Sequence, residues 1–167
     1  MADDLKRIVI RALVDLSANF ETMDCDPDLA DTALFCEHYD IPLDRSANAI
    51  MLASKRPQGV NAVCLVLATH RLDVNGAVRR EMNVKKVSFA SPEATAEATG
   101  MLMGGVTPFG LPETPHIAVL IDAAVLDRPW VIVGGGSRDM KIKVDPEVFS
   151  RMPSVRVVEG LAFESTG

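Results

Sequence analysis

Two stretches of the chain, HIAVLID at residues 116–122 and WVIVGG at residues 130–135, stay apolar over the length of a strand instead of alternating. A strand with one wet face alternates with period two, so an unbroken apolar run of this length belongs in a sheet covered on both faces. The rest of the chain must therefore supply covering layers, and 167 residues are enough to build them around a real core. With 48% hydrophobic and 24% charged residues, the composition excludes disorder. The apolar run near the N-terminus, IVIRALVDL, is interrupted by Arg11 and Asp15, which excludes a signal-peptide core and a membrane span. One globular domain over residues 1–167, with a cytoplasmic address and no membrane partner, is the expectation.

The covering elements can be read from periodicity and capping residues. Leu5, Ile8, Val9, Ala12, Leu13 and Leu16 recur at helical spacing, which predicts an amphipathic helix within residues 1–18. That helix could cover its own sheet or a partner's, so oligomeric state stays open. FETMD reads as a short strand. Asp26-Pro27 then offers a cap and a first-turn proline for a helix over residues 28–39, stopped by Asp40-Ile41-Pro42. ANAIMLAS and NAVCLVLAT, separated by KRPQGV, predict a hairpin. Asp73 can cap a helix running to Met82, KKVSFA reads as a strand, and Ser91-Pro92-Glu93 starts a helix ending at Gly100. MKIKV alternates, which places Lys141 and Lys143 on a wet face; PEVFSRM reads as a short helix and SVRVV as a last strand. The irregular interleaving favours an α/β domain with a central mixed sheet flanked by helices over a doubly wound one.

Charge and cysteine usage narrow the chemistry. A net charge of −6 does not describe a chain that grips nucleic acid by charge alone, and DNA is not an expected partner. Arg79-Arg80 and Lys85-Lys86 form the one basic concentration, readable as a solvated face or as a phosphate contact. Cys25, Cys36 and Cys64 lack CxxC spacing, and His38, His70 and His116 lack ligand spacing, so no metal and no cofactor is expected. Cys36 and Cys64 sit in apolar settings that suit buried thiols.

Glycine-rich segments carry what remains. GGVTPFG, residues 104–110, matches neither a phosphate loop nor a dinucleotide fingerprint. It can present backbone N–H groups, with φ fixed at Pro108, to a carbonyl oxygen that gains charge on attack. Gly134-Gly135-Gly136-Ser137-Arg138 follows WVIV as a turn or a second site loop, and Asp122 ends a buried strand as a helix cap or a site carboxylate. Arg71 and Asp73 of THRLD stand at another strand end. Ile50, Leu52, Leu102 and Met103 are either pocket wall or ordinary core.

The order of RLD, KKVSFAS, a helix closing on TG, GGVTPFG, VLID and a late GGG resembles the YbaK/EbsC family, which includes the editing domain of bacterial prolyl-tRNA synthetases. The resemblance spans residues 20–156, and TGMLMGGVTPFG followed by VLID is its most specific part. It implies a mixed-sheet α/β fold with a crevice lined by the glycine-proline loop. It also implies hydrolysis, in trans, of the ester joining a small mischarged amino acid to the 3′ end of a tRNA such as tRNA-Pro. One methylene is worth only about 1–3 kcal/mol in a binding site, which is why small amino acids need such a second sieve. Carried over, Asn48, Gly104, Gly105 and Pro108 stand at the catalytic positions; Val106, Thr107, Phe109, Gly110, Asp122, Gly134, Gly135, Gly136 and Ser137 stand at the substrate-binding ones. The partner implied is the 3′ end of aminoacyl-tRNA, with an aminoacyl-tRNA synthetase as an open second partner. Water, held by the pocket, is the attacking group.

One departure stands out. Where the family pattern reads AKTL, this chain reads Ala47-Asn48-Ala49-Ile50, so a charged amine is replaced by a neutral amide. Lys55 lies at an odd offset along the same strand, which leaves Lys141, Lys143 and Arg138 as candidates to restore the charge. Two other readings stay open: a non-catalytic module that binds an aminoacyl or nucleotide group, and a hydrolase of another small ester.

Overall fold

The computed structural model describes residues 2–165. In chain order the elements are α1 (Ala2–Asp15), β1 (Phe20–Asp24), α2 (Thr32–His38), β2 (Ala47–Arg56), β3 (Gln58–Leu67), β4 (His70–Leu72), α3 (Arg79–Met82) and β5 (Lys86–Phe89). There follow α4 (Pro92–Thr99), β6 (Ala118–Asp122), α5 (Ala123–Leu126), β7 (Val131–Gly134), β8 (Met140–Val144), β9 (Val155–Val158) and β10 (Ala162–Glu164). Five strands form a mixed sheet in the order β5-β2-β3-β6-β9, antiparallel on the β2 side and parallel from β3 to β9. Three more form an antiparallel sheet, β1-β8-β7, and β10 pairs with β4.

The two apolar runs are strands buried on both faces, in different sheets. On β6, Val119 and Ile121 face the layer between the sheets, while Leu120 faces a second cluster with Leu52, Cys64, Val78 and Leu161. On β7, Val131 and Val133 face the same central layer, and Ile132 turns to a cluster with Cys25, Phe35 and Cys36. Val9 and Leu13 of α1 enter the central layer beside Phe109 and Phe149, whose rings stack at 5.5 Å. The N-terminal helix therefore covers its own core. No helix among the described residues is long and apolar enough to cross a membrane.

Three sequence expectations need correction. The helix expected over residues 28–39 is broken: Asp26 caps a 3-10 turn, Pro27–Leu29, through the Asp28 amide, and α2 starts only at Thr32. SVRVV is not the last strand: β9 is followed by β10, whose residues Ala162–Glu164 pair with β4, while PEVFSR is the short helix expected, of 3-10 type and capped by Asp145. Lys141 is not on a wet face. The face of β8 that carries it is roofed by α2, leaving Lys141 only 7% exposed with its Nζ 5.3 Å from the Phe35 ring centroid, while Lys143 lies 4.6 Å from that of Trp130.

Asp73 does cap a helical segment, and the chain begins there with a wide turn, Val74–Val78. Its carboxylate accepts from the amides of Gly76 at 3.2 Å and Ala77 at 3.0 Å. Asp73→Ala leaves both amides without that acceptor and should cost about 1 kcal/mol, read as a lower urea midpoint with an unchanged slope.

Candidate functional site

The first half of β2 has a free edge. β5 pairs with β2 only from Leu52 onward, and β7 meets the start of β2 through a single parallel bridge, Ser46 to Ile132. Between that edge and the second sheet lies a cavity of about 210 Å³. Asn48 and Ile50 line it from β2, Asp31 and Thr32 from the start of α2, and Met103, Gly104 and Val106 from the glycine loop. Ile132 and Gly134 of β7 and Lys141 of β8 face it from the opposite side.

The glycine loop is held by its carbonyls. Lys141 Nζ donates to Gly104 O at 2.6 Å and to Ala30 O at 2.8 Å, tying the loop to the turn before α2. Arg138 makes a parallel clamp: Nη1 donates to Met103 O at 2.6 Å and to Asp31 Oδ1 at 3.2 Å, and Nη2 donates to Pro27 O at 2.8 Å. With the carbonyls anchored, the N–H groups of Gly104 and Val106 have no acceptor among the described residues. The same holds for the third proton of Lys141, an ammonium with three donors.

Close packing between the two glycine clusters explains their composition. A Cβ on Gly134 would collide with Val106 O and lie 2.9 Å from Gly105 O; one on Gly105 would lie 2.8 Å from the Ser137 carbonyl carbon. The Gly136 amide donates to Gly105 O at 2.8 Å. Gly104 has φ +90°, and a Cβ there would sit 2.5 Å from Arg138 Nη1, so both backbone and clamp require glycine.

Of the residues singled out in the sequence, the cavity brings together Asn48, Gly104, Val106 and Gly134, along with Ile50 and Met103. Asn48 Oδ1 accepts from the Thr32 hydroxyl across the cavity wall. Gly105, Gly135 and Gly136 stand behind the wall as packing positions. Gly136 and Ser137 border a separate groove beside α1, and Pro108 and Gly110 border another hollow near Met152. Phe109 and Thr107 are fully buried, as is Leu52, while Leu102 is exposed. Asp122 lies elsewhere, accepting from the Ala162 amide at 3.2 Å and so anchoring β10; burial raises its carboxyl above the ordinary value. Arg71 and Asp73 lie on or beside β4, away from the cavity lining.

Of the three cations named as candidates to restore the charge lost at position 48, Lys141 alone lines the cavity, and Asp31, Thr32, Ser46 and Thr95 are polar wall residues that the sequence did not single out. A signal for Lys141 existed: Phe35 and Cys36 on the inner side of α2 need a sheet face to cover, and they pack with Ile132 of β7 and against Lys141 of β8. Burial holds the Lys141 amine below the usual lysine value; Arg138 adds to that, while Cys25, Asp31 and Cys36 oppose it. All three cysteines are buried and free, and burial pushes the Cys64 thiol up to about 12, so it is a packing group and not a nucleophile. No histidine or cysteine lines the cavity among the described residues.

Comparison with known proteins agrees with this architecture. The chain is 27% identical over 121 residues, 72% of its own length and 73% of the relative's, to the uncharacterized protein YwhH of Bacillus subtilis (strain 168). The crystal structure of hypothetical protein APE2540 superposes with a TM-score of 0.80 at 20% identity, covering 93% of this chain and 99% of that one. A candidate trans-editing enzyme for prolyl tRNA synthetase superposes with a TM-score of 0.74 at 21% identity, covering 92% and 94%. These likenesses show the fold. The model of the aminoacyl-tRNA editing domain matches residues 26–152, which contain every wall residue of the cavity, and the chain therefore belongs to that family.

Proposed function

We propose that the chain is a trans-acting deacylase that hydrolyses the ester between a small amino acid and the 3′ end of a mischarged tRNA. The observation that carries this reading is that Lys141, Gly104 and Val106 line one cavity of about 210 Å³, where the Gly104 and Val106 amides have no acceptor among the described residues. Membership of the editing-domain family supports the substrate class. Small-molecule sites commonly enclose about 300–1,000 Å³, so this cavity suits an aminoacyl group more than a whole nucleoside.

The chemistry needs little from side chains. Water adds to the ester carbonyl carbon, the carbonyl oxygen becomes an oxyanion, and collapse breaks the bond to the ribose oxygen, which leaves with a proton. Fixed donors aimed at the oxyanion lower the barrier because they need not reorganise when charge develops. In this reading the Gly104 and Val106 amides and the third Lys141 proton serve as such donors, on a loop whose carbonyls are held by Arg138 and Lys141. The second lone pair of Asn48 Oδ1 is left to accept from the substrate's amino group. The charge that a lysine at position 48 would bring enters here from β8.

Deacylation of tRNA charged in turn with alanine, serine, threonine and cysteine tests the proposal. At least one of these esters is expected to be cleared by the wild type, with Asn48→Ala slower by about tenfold, the worth of one neutral hydrogen bond of about 1.4 kcal/mol. Survival of all four esters at high enzyme concentration would leave a binding module in place of an enzyme.

A further inference from the structure

The end of β2 remote from the cavity carries a cationic surface that the proposed chemistry does not use. Lys55 and Arg56 close β2, and Arg56 pairs in register with Lys86 of β5. The Lys85 amide donates to Arg56 O at 2.9 Å, and the Val84 amide closes the one-turn α3 on Arg79 O at 3.3 Å, so α3 adjoins this corner, with Arg79 Nε donating to Asn75 O at 2.9 Å. Lys55, Arg56, Arg79, Arg80, Lys85 and Lys86 are all exposed, and among the described residues none is in an ion pair. The two acids of residues 73–86 are already engaged, Glu81 by Arg156 at 3.0 Å and Asp73 by its two cap amides.

Four of the 17 Lys and Arg residues, Lys55, Arg56, Lys85 and Lys86, thus gather at one corner of a chain whose net charge is −6, with Arg79 and Arg80 on the adjoining α3. Like charges repel, and collecting them without carboxylates costs stability unless a polyanion takes up the field. From this geometry we infer that the corner formed by the β2 end, the start of β5 and α3 is a docking surface for the sugar-phosphate backbone of the tRNA, outside the ester-binding cavity. The same strand carries both sites. At about 3.3 Å per residue, Lys55 stands roughly 23 Å along β2 from Asn48, so the corner meets backbone phosphates and not the reacting ester. Phe89, at the far end of β5 from Lys86, is more than half exposed and adds a flat apolar face of the kind unpaired bases stack on.

The inference takes the identity of the polyanion from the deacylase reading, and its test separates the two. Binding of uncharged tRNA is measured against salt concentration for the wild type and for the variant Lys55→Glu, Arg56→Glu, Lys85→Glu, Lys86→Glu, with thermal unfolding as the check that the variant folds. The paired reversal Lys85→Glu, Lys86→Glu serves if the fourfold one does not fold. The variant is expected to bind roughly tenfold or more weakly, with a salt slope shallower by about 0.7–0.9 for each phosphate it no longer neutralises. Hydrolysis of a 3′-aminoacyl adenosine, which has no phosphate backbone, is expected to be unchanged. Equal tRNA binding by variant and wild type overturns the inference, as does wild-type binding to anionic phosphatidylserine vesicles but not to tRNA. If tRNA binding depends on the corner while the aminoacyl adenosine is never hydrolysed, the docking surface stands and the deacylase reading falls.

Discussion

Replacing Lys141 by methionine is expected to lower the rate of ester hydrolysis by about 10²–10³-fold, the usual loss when one oxyanion donor is removed from a preorganised site. The side chain has two jobs that this substitution ends together. In the proposed reading it supplies a donor and a charge to the cavity it lines, and it ties Gly104 O to Ala30 O. Lys141→Arg keeps a charge and several donors, so partial activity there with almost none in Lys141→Met would identify the charge as the larger contribution.

The direction of the Lys141 shift gives a second signature. Because burial lowers its proton affinity, the folded protein loses this charge at a pH below the ordinary lysine value of about 10.4. Between the lowered folded value and the unfolded one, the unfolded chain binds more protons, so this group makes the fold more stable as pH rises through that window. Hydrolysis, corrected for the spontaneous alkaline rate, is expected to fall in the same window. Opposite trends of stability and activity would mark a functional amine; parallel trends would mark a merely structural one.

Gly134→Ala is expected to destabilise the protein by about 3 kcal/mol, at the upper end of typical overpacking costs. The added carbon would press on Val106 O and Gly105 O. The loop cannot back away, since Gly105 already abuts the Ser137 backbone and accepts from the Gly136 amide. For a chain of this length the melting temperature should drop by roughly 6–12 °C, at about 2–4 °C per kcal/mol. Activity measured well below that temperature should fall as well, because the displaced Val106 belongs to the cavity wall. Gly59→Ala, where a Cβ meets nothing but φ is +92°, should cost only about 1–2 kcal/mol and leave hydrolysis intact.

Much of the scaffold was legible in the sequence because its signals are local. The unbroken runs on β6 and β7, the FETMD strand, the hairpin around Pro57 and the caps at Ser91 and Asp73 each depend on a few neighbouring residues. β4 and β10 left no such signal: at three residues each, they are strands only because they pair with one another across the chain. The site was less legible for the same physical reason. Nothing in MKIKV states that α2 will roof its lysine face, so period-two alternation alone sends Lys141 to solvent. The glycines of residues 104–110 and 134–136 were visible as clusters. That they are pressed against each other, with the loop carbonyls held by Lys141 and Arg138, is a property of three segments meeting. Asp122 illustrates the converse: a carboxylate at the end of a core strand looks like a site residue, yet here it holds the Ala162 amide.

Single-turnover hydrolysis of the preferred mischarged tRNA, with enzyme in excess over substrate and wild type beside Lys141→Met, tests the central claim most directly. The wild type is expected to release the amino acid completely and the variant to do so about 10²–10³-fold more slowly, with both proteins folded at the assay temperature. Equal rates for the two would contradict the claim, because the cavity around Lys141 would then not be where the ester is cleaved.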